Sequence, residues 1–164
     1  MKNLHDKLVW RVTGALQRAG ISAHVYGAND LIRIDCQQVG SLLACQLIEV
    51  GSRYLTCVSL MKKSCPPEQV RSMAELVCRI NNRTFRTGWM RLVCHSGEII
   101  FEQDYAYKVK QITPKRVQRM LQDGRRFFET FACPIIAVAD DLAEPRKALQ
   151  SNVFCDDPLQ IDPA

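Results

Sequence analysis

A tight turn between two strand-like segments limits the fold of this chain more than any other feature. Gly51–Ser52 lies between LLACQLIEV and RYLTCVSLM, and glycine can adopt the positive φ that a type II′ turn requires. A two-residue hairpin here would place Leu43 opposite Leu60 and Cys45 opposite Val58, so that apolar residues share one face. Turn chemistry and hydrophobic pattern therefore both predict an antiparallel hairpin.

A second hairpin is predicted in GWMRLVCHSGEIIFEQDY, residues 88–105. A turn at Ser96–Gly97 would pair Cys94 with Ile99 in the core. On the other face it would pair Arg91 with Glu102, two opposite charges that attract across neighbouring strands.

Cys94 and His95 are adjacent in this stretch, which raises the question of a cysteine–histidine active site. Consecutive strand residues point to opposite faces, so the two side chains cannot form a dyad through their own backbone. The histidines are not spaced as metal ligands are, and the chain has no phosphate-loop, dinucleotide-binding or nucleophile-elbow motif. We therefore predict a non-enzymatic protein with no catalytic residues, no metal site and no cofactor. The less favoured alternative is an enzyme whose active site is assembled from residues far apart in the sequence.

Three segments have the 3.6-residue period of amphipathic helices. They are residues 4–19, residues 66–82 and residues 113–131, the last of which opens with a threonine cap followed by proline. Pro134 is expected to break or restart this third helix, with a short helix over residues 135–142.

The order of elements predicts the fold class. With a further strand in LIRIDC, the order is α-β-β-β-α-β-β-α, which indicates an α+β protein with helices packed on an antiparallel sheet. We expect residues 1–143 to form a single domain and residues 144–164 to form an acidic, loosely ordered tail.

Composition limits the class of protein and its location. Hydrophobic residues make up 47% of the 164 and charged residues 24%, which is typical of a globular protein. No apolar run approaches the roughly 18 residues of a membrane span, and charges interrupt the first segment, so we expect a cytoplasmic protein without membrane contact. The eight cysteines include no CxxC pair, which favours reduced thiols over disulfides or structural zinc.

The net charge of +5 is unevenly distributed. Residues 61–131 carry 14 basic against 7 acidic side chains, whereas residues 132–164 carry 2 against 6. The basic surface of residues 79–126 offers an alternative function, the binding of nucleic acid or another anion. No aromatic platform or recognition-helix pattern accompanies it, so specific nucleic-acid readout is not expected. The candidate anion-binding residues are Arg79, Arg83, Arg86, Lys108, Lys110, Lys115, Arg116 and Arg119.

Two stretches resemble the YbjN family of bacterial proteins. In AELVCRINNRTFRTGWMRLVCHSGEIIF, a helix ends near Ile80–Asn81, a glycine follows at Gly88, and a hairpin turns at Ser96–Gly97–Glu98. The later FFETFACPIIAVADDL is similar to the family's closing helix, with its proline–isoleucine step at Pro134–Ile135.

The YbjN family is similar in fold to the class I chaperones of type III secretion, which are homodimers that hold an unfolded stretch of an effector. The resemblance therefore implies an α+β domain, a homodimer and a protein-binding role, with no catalytic residues. Those chaperones are typically acidic, whereas this chain has a pI near 8.8. The resemblance thus favours a looser regulatory role over that of an effector chaperone.

Apolar residues on the sheet exceed what one layer of helices would cover, which indicates a surface for a protein or peptide partner or for a second subunit. The sequence leaves open whether a second copy or the tail covers this face. The residues predicted for the partner or dimer surface are Leu42, Ile48, Leu55, Trp89, Val93 and Ile100.

Overall fold

A computed structural model describes residues 4–26, 31–34, 41–51, 53–84, 88–106 and 111–150. The predicted α+β class and order of elements are confirmed, and the structure adds a short strand after the first helix. The helices and strands are α1 (Leu4–Arg18), β1 (Ala23–Tyr26), β2 (Leu31–Ile34), β3 (Leu43–Val50), β4 (Tyr54–Met61), α2 (Val70–Thr84), β5 (Gly88–Val93), β6 (Glu98–Ala106), α3 (Pro114–Ala139) and α4 (Pro145–Gln150).

The six strands form one antiparallel sheet in the order β1-β2-β3-β4-β6-β5. The hydrophobic core takes strand residues from one face of this sheet and combines them with the apolar stripes of all four helices. The fold therefore has two layers, with helices on one face of the sheet.

Ile48 and Leu55, which were predicted for the partner surface, lie in this core with exposed fractions of 0% and 3%. Leu42 is half-buried and also packs against the core. These three predictions are wrong because both faces of the first hairpin are apolar. The alternation of the sequence shows which residues share a face, but not which face receives the helices.

The predicted register of the first hairpin is wrong by two residues. Val50 pairs with Leu55, and Leu47 pairs with Val58, because the turn between β3 and β4 is longer than the predicted two residues. The shift is even, so the residues predicted to share a face still do so along most of the hairpin. A bulge between Leu43 and Cys45 breaks this rule and turns Leu43 into the core.

The second hairpin is shifted in the same way. Leu92 pairs with Ile99 and Val93 with Glu98, so residues 94–97 form a four-residue turn. Cys94, which was predicted for the core, is consequently exposed in this turn. His95, which was predicted to flank the turn, is also exposed in it.

The third helix continues through Pro134 to Ala139, which contradicts the predicted break. Its start agrees with the sequence, because the Thr113 hydroxyl accepts a hydrogen bond from the backbone N–H of Arg116. Part of the predicted tail is ordered as α4, whose Pro145 and Ala148 are buried, whereas residues 151–164 lie outside the described residues. No helix in the described segments is long and apolar enough to cross a membrane.

The middle of α3 lies directly against the centre of the sheet. The side-chain amide of Gln46 donates to the Leu121 carbonyl and to the Ser59 hydroxyl, both at 2.9 Å, and Gln46 and Ser59 are fully buried. Gly124 makes this approach possible, since a Cβ atom there would overlap the Ser59 hydroxyl and lie 3.1 Å from the Gln46 amide nitrogen. Further along α3, Phe127 stacks on Phe101 of β6 with ring centroids 3.8 Å apart.

We predict that Gly124→Ala lowers the free energy of unfolding by about 1–3 kcal/mol, because the added methyl group must push α3 away from the buried Ser59 and Gln46. Gly14→Ala is the matched control, since its Cβ in α1 would meet nothing closer than the Arg18 guanidinium at 3.5 Å. That change should raise stability by about 0.5–1 kcal/mol through helix propensity alone. Urea unfolding of both variants checks this, and equal effects would contradict the close approach of α3.

Candidate functional site: the open face of the sheet

The sheet face opposite the helices, here called the open face, carries a group of apolar side chains outside the hydrophobic core. Their placement follows from strand alternation, because each is next to a strand residue that points into the core. All five are half-buried. The apolar strip, as we name this group, consists of Leu47, Val58, Leu60, Val93 and Ile100.

Aromatic residues stand at the margins of the open face. Tyr26 on β1 and Tyr54 on β4 are about half exposed, and Trp89 on β5 has an exposed fraction of 39%. Of the six predicted surface residues, Trp89, Val93 and Ile100 therefore do lie on the open face. The two tyrosines and the middle of the apolar strip were not predicted from the sequence. Leu47 and Val58 could have been found, because they alternate with buried neighbours.

Hydrogen bonds order the polar side chains around the apolar strip. Arg91 donates to both carboxylate oxygens of Glu102 at 2.9 Å, and the Trp89 indole N–H donates to the same carboxylate at 2.9 Å. The predicted Arg91–Glu102 pair thus exists, although the register places the two residues diagonally rather than opposite each other. On the neighbouring strands the Thr56 hydroxyl donates to Asp104 at 2.6 Å.

A side chain from α2 blocks part of the outer edge of the sheet. Asn81 accepts a hydrogen bond from the Met90 N–H at 2.8 Å and donates one to the Met90 carbonyl at 2.9 Å. These two bonds occupy the outward backbone groups in the middle of β5, which disfavours addition of a foreign strand there. The open face is therefore a better candidate for interactions than the β5 edge.

Three predicted anion-binding residues line one cleft at the start of α3. Lys115, Arg116 and Arg119 surround a cavity of about 460 Å³ together with Tyr105, Thr113 and Asp123. Arg116 is held in place by bonds to the Ala106 carbonyl and to Gln111, at 3.0 and 3.1 Å.

The acidic and aromatic members of this cleft were not predicted. The Tyr105 hydroxyl contacts both Gln103 and Asp123, and burial, followed by the nearby Asp123 carboxylate, raises the pKa of Tyr105. Asp123 lies four residues after Arg119 on α3, and their ion pair measures 4.0 Å. This i, i+4 spacing was the signal in the sequence that could have found Asp123.

Of the other five predicted anion-binding residues, Arg79 is the one with a described side chain, and it does not line this cleft. Arg79 pairs with Glu75 one turn earlier on α2 at 2.7 Å. Arg83 belongs to α2, but its side chain lies outside the description. Arg86, Lys108 and Lys110 lie outside the described residues.

The cysteines of the described segments are free thiols. Burial raises the pKa of Cys57 to about 12, which makes it a poor nucleophile at neutral pH. Within the described part of the chain, no three His, Cys, Asp or Glu residues come together in a way that could hold a metal ion.

We predict that stability falls with rising pH because of Cys57. Folding favours its protonated form, so its contribution is fully present below the ordinary pKa near 9 and is lost as the pH rises from there towards 12. The decline in the urea midpoint between pH 8 and pH 10.5 should be shallower in Cys57→Ala than in wild type. Equal slopes would contradict the assigned burial.

Iodoacetamide should modify the exposed Cys78 and Cys94 in the folded protein, and Cys57 only after unfolding.

Comparison with known proteins gives a match for the fold. No family model and no curated protein matches the chain. A similar solved structure is that of YbjN, described as "a putative transcription regulator from E. coli", with 11% sequence identity and a TM-score of 0.59. The match covers 81% of this chain and 92% of that chain. The predicted resemblance to YbjN is thus confirmed for the fold.

Proposed function

We propose that this protein is a non-enzymatic protein-binding module that acts as a homodimer in a regulatory or chaperone-like role in the cytoplasm. The observation that carries the proposal is the open face, where the apolar strip stands outside the hydrophobic core. Exposed contiguous apolar surface on a folded domain is the usual mark of a protein contact.

The chemistry of the open face fits this role. An apolar centre with a charged rim and aromatic residues at its margins is the general composition of protein interfaces. Arg91, Glu102 and Asp104 supply charge at the rim, and the bonds of Trp89 and Thr56 fix their carboxylates. Side chains that are ordered before binding lose less conformational entropy when a partner arrives.

The similar fold of YbjN supports a regulatory role, because that protein is described as "a putative transcription regulator". The apolar open face suits regulation through contacts with other proteins better than regulation through direct recognition of DNA bases. Free buried thiols agree with a reducing compartment.

We predict that Leu60→Lys abolishes protein binding, because it places an ammonium group in the middle of the apolar strip. Gln122→Lys adds the same charge on the exposed side of α3 and should leave binding intact. The tagged variants are purified from the organism's own cells with nuclease treatment, and bound protein is quantified together with the mass by light scattering. Equal recovery of bound protein with both variants would contradict a role for the open face.

The cleft at the start of α3 supports a second candidate function, the binding of an anion. Its three cationic side chains face one acidic residue, Asp123, which is already engaged by Tyr105 and Arg119. A volume of about 460 Å³ falls within the range of small-molecule sites, roughly 300–1,000 Å³. Phosphate or sulfate groups of a nucleic acid or another polyanion are the chemistry that such residues recognise.

We predict that Lys115→Gln combined with Arg119→Gln weakens heparin and single-stranded DNA binding and makes it less dependent on salt, because two phosphate contacts are lost. Arg126→Gln combined with Arg146→Gln removes the same charge from exposed positions outside the cleft and should have a much smaller effect. Fluorescence anisotropy across a salt series measures both. Equal losses in the two double variants would assign any binding to net charge rather than to the cleft.

A further inference from the structure

The cleft at the start of α3 carries opposite charges at its two ends. Its cationic side chains come from the first two turns of the helix, where the helix dipole also favours anions, and Asp123 comes from one turn beyond them. Lys115, Arg119 and Asp123 are spaced four residues apart, so they lie in one row along the same side of the helix. At a rise of about 1.5 Å per residue, this row is about 12 Å long.

Two of the three cations in the cleft are available to a ligand. Arg116 is already committed to the protein, because its two terminal nitrogens donate to the Gln111 side chain at 3.1 Å and to the Ala106 carbonyl at 3.0 Å. Lys115 is exposed, and the side chain of Arg119 is 80% exposed with its ion-pair contact to Asp123 at 4.0 Å. An anionic group in the cleft therefore meets Lys115 and Arg119 first.

The Asp123 carboxylate is held in place and keeps one oxygen for a ligand. The Tyr105 hydroxyl contacts Oδ2 at 3.1 Å, and the Arg119 contact is to the same oxygen. Oδ1 receives no hydrogen bond from any described residue. Burial and the nearby carboxylate raise the pKa of Tyr105, so its hydroxyl stays protonated at neutral pH and can keep donating to Asp123.

This arrangement restricts the chemistry of the ligand. A carboxylate accepts hydrogen bonds and repels phosphate, so a ligand made only of anionic groups suits one end of the cleft and not the other. An ammonium group would suit Asp123 but would also meet the adjacent Arg119. A neutral hydroxyl group donates to the carboxylate without either conflict. The matching ligand therefore has a phosphate at one end and a hydroxyl donor near the other.

We propose that the cleft binds a ribonucleotide unit, with its phosphate on Lys115 and Arg119 and the 2′-hydroxyl of its ribose donating to Oδ1 of Asp123. This inference rests on the proposed binding of anions in the cleft, and it names the ligand as RNA or a free ribonucleotide rather than DNA. The 2′-hydroxyl is the group that distinguishes RNA from DNA, and acidic side chains bind ribose hydroxyls in dinucleotide sites as well. Such recognition of the sugar requires no base-specific contact.

A matched pair of oligonucleotides tests the inference. Oligouridylate and oligodeoxyuridylate have the same bases and differ only in the 2′-hydroxyl. Fluorescence anisotropy with the labelled oligonucleotides and the purified full chain should give about three- to tenfold tighter binding of oligouridylate, which corresponds to one hydrogen bond.

Asp123→Ala removes the acceptor, so the two affinities should come within about twofold of each other. Binding of oligodeoxyuridylate should not weaken, because the variant also removes a charge that repels phosphate. Glu129→Ala is the matched control. It removes an acidic side chain from an exposed position of the same helix outside the cleft, and it should keep the preference of wild type.

A second variant keeps the test valid if circular dichroism shows that Asp123→Ala does not fold. Tyr105→Phe leaves the carboxylate in place but removes the hydroxyl that holds it. The preference for oligouridylate should fall in this variant, while the affinity for oligodeoxyuridylate stays the same. Tyr105 is thus a positioning residue, and the ratio of the two affinities is a readout that a merely structural role would not change.

Calorimetric titration with uridine monophosphate and its 2′-deoxy counterpart separates the two sources of the ligand. Tighter binding of the ribose form by wild type, lost in Asp123→Ala, would support the inference with a free ribonucleotide as ligand. The same pattern with the oligonucleotides alone would support it with RNA as ligand.

Other outcomes distinguish this inference from the proposed anion site. Equal affinities for the ribose and deoxyribose probes, both weakened by Lys115→Gln combined with Arg119→Gln, would overturn the ribonucleotide but keep the cleft as an anion site. A ribose preference that persists in Asp123→Ala would also overturn the inference. If no probe binds in a way that depends on Lys115 and Arg119, both the inference and the anion site are wrong.

Discussion

The contact between the middle of α3 and the centre of the sheet is the interaction on which the rest of the structure depends. Gly124 brings the helix backbone against Ser59, and Gln46 ties the sheet to the Leu121 carbonyl. Burying these polar groups costs free energy unless each finds a partner; each does, because no buried side-chain nitrogen or oxygen in the described residues lacks one. Phe127 extends the same contact over β6 by stacking on Phe101.

Because α3 packs on one face of the sheet, the side chains of the other face are left outside the hydrophobic core. The hydrophobic core includes α1, α2 and α4 beside α3, so these four helices of the described segments form one layer. Strand alternation then directs every second residue away from them, and several of those residues are apolar. The apolar strip is thus a consequence of the two-layer fold, and its composition is what suggests a partner.

Charge is distributed over the structure in a way that net charge alone does not show. The chain is basic, and three of its cationic residues meet in the cleft at the start of α3. The open face instead mixes signs, with Glu49, Glu102 and Asp104 beside Arg33 and Arg91. The two surfaces therefore differ in chemistry, and we propose an anion as the partner of the cleft and a protein as the partner of the open face.

The sequence by itself determined the local structure. The α+β class, the order of the predicted elements and the threonine cap of α3 depend on periodicity and on side chains close to their own backbone, and they agree with the structure. The predicted Arg91–Glu102 pair is also present although the predicted register is wrong, because long side chains reach diagonal neighbours. The even shift of two residues likewise preserved which hairpin residues share a face.

Only the tertiary structure decided the rest. It set the length of both hairpin turns, the path of α3 through Pro134 and the gathering of Lys115, Arg116 and Arg119 into one cleft with Tyr105. Above all, it decided that Ile48 and Leu55 belong to the core whereas Val58 and Leu60 face outward. Both faces of the first hairpin are apolar, so the sequence does not choose between them. The face that carries the small Ser59 receives α3, because Gly124 lets the helix backbone approach that serine closely.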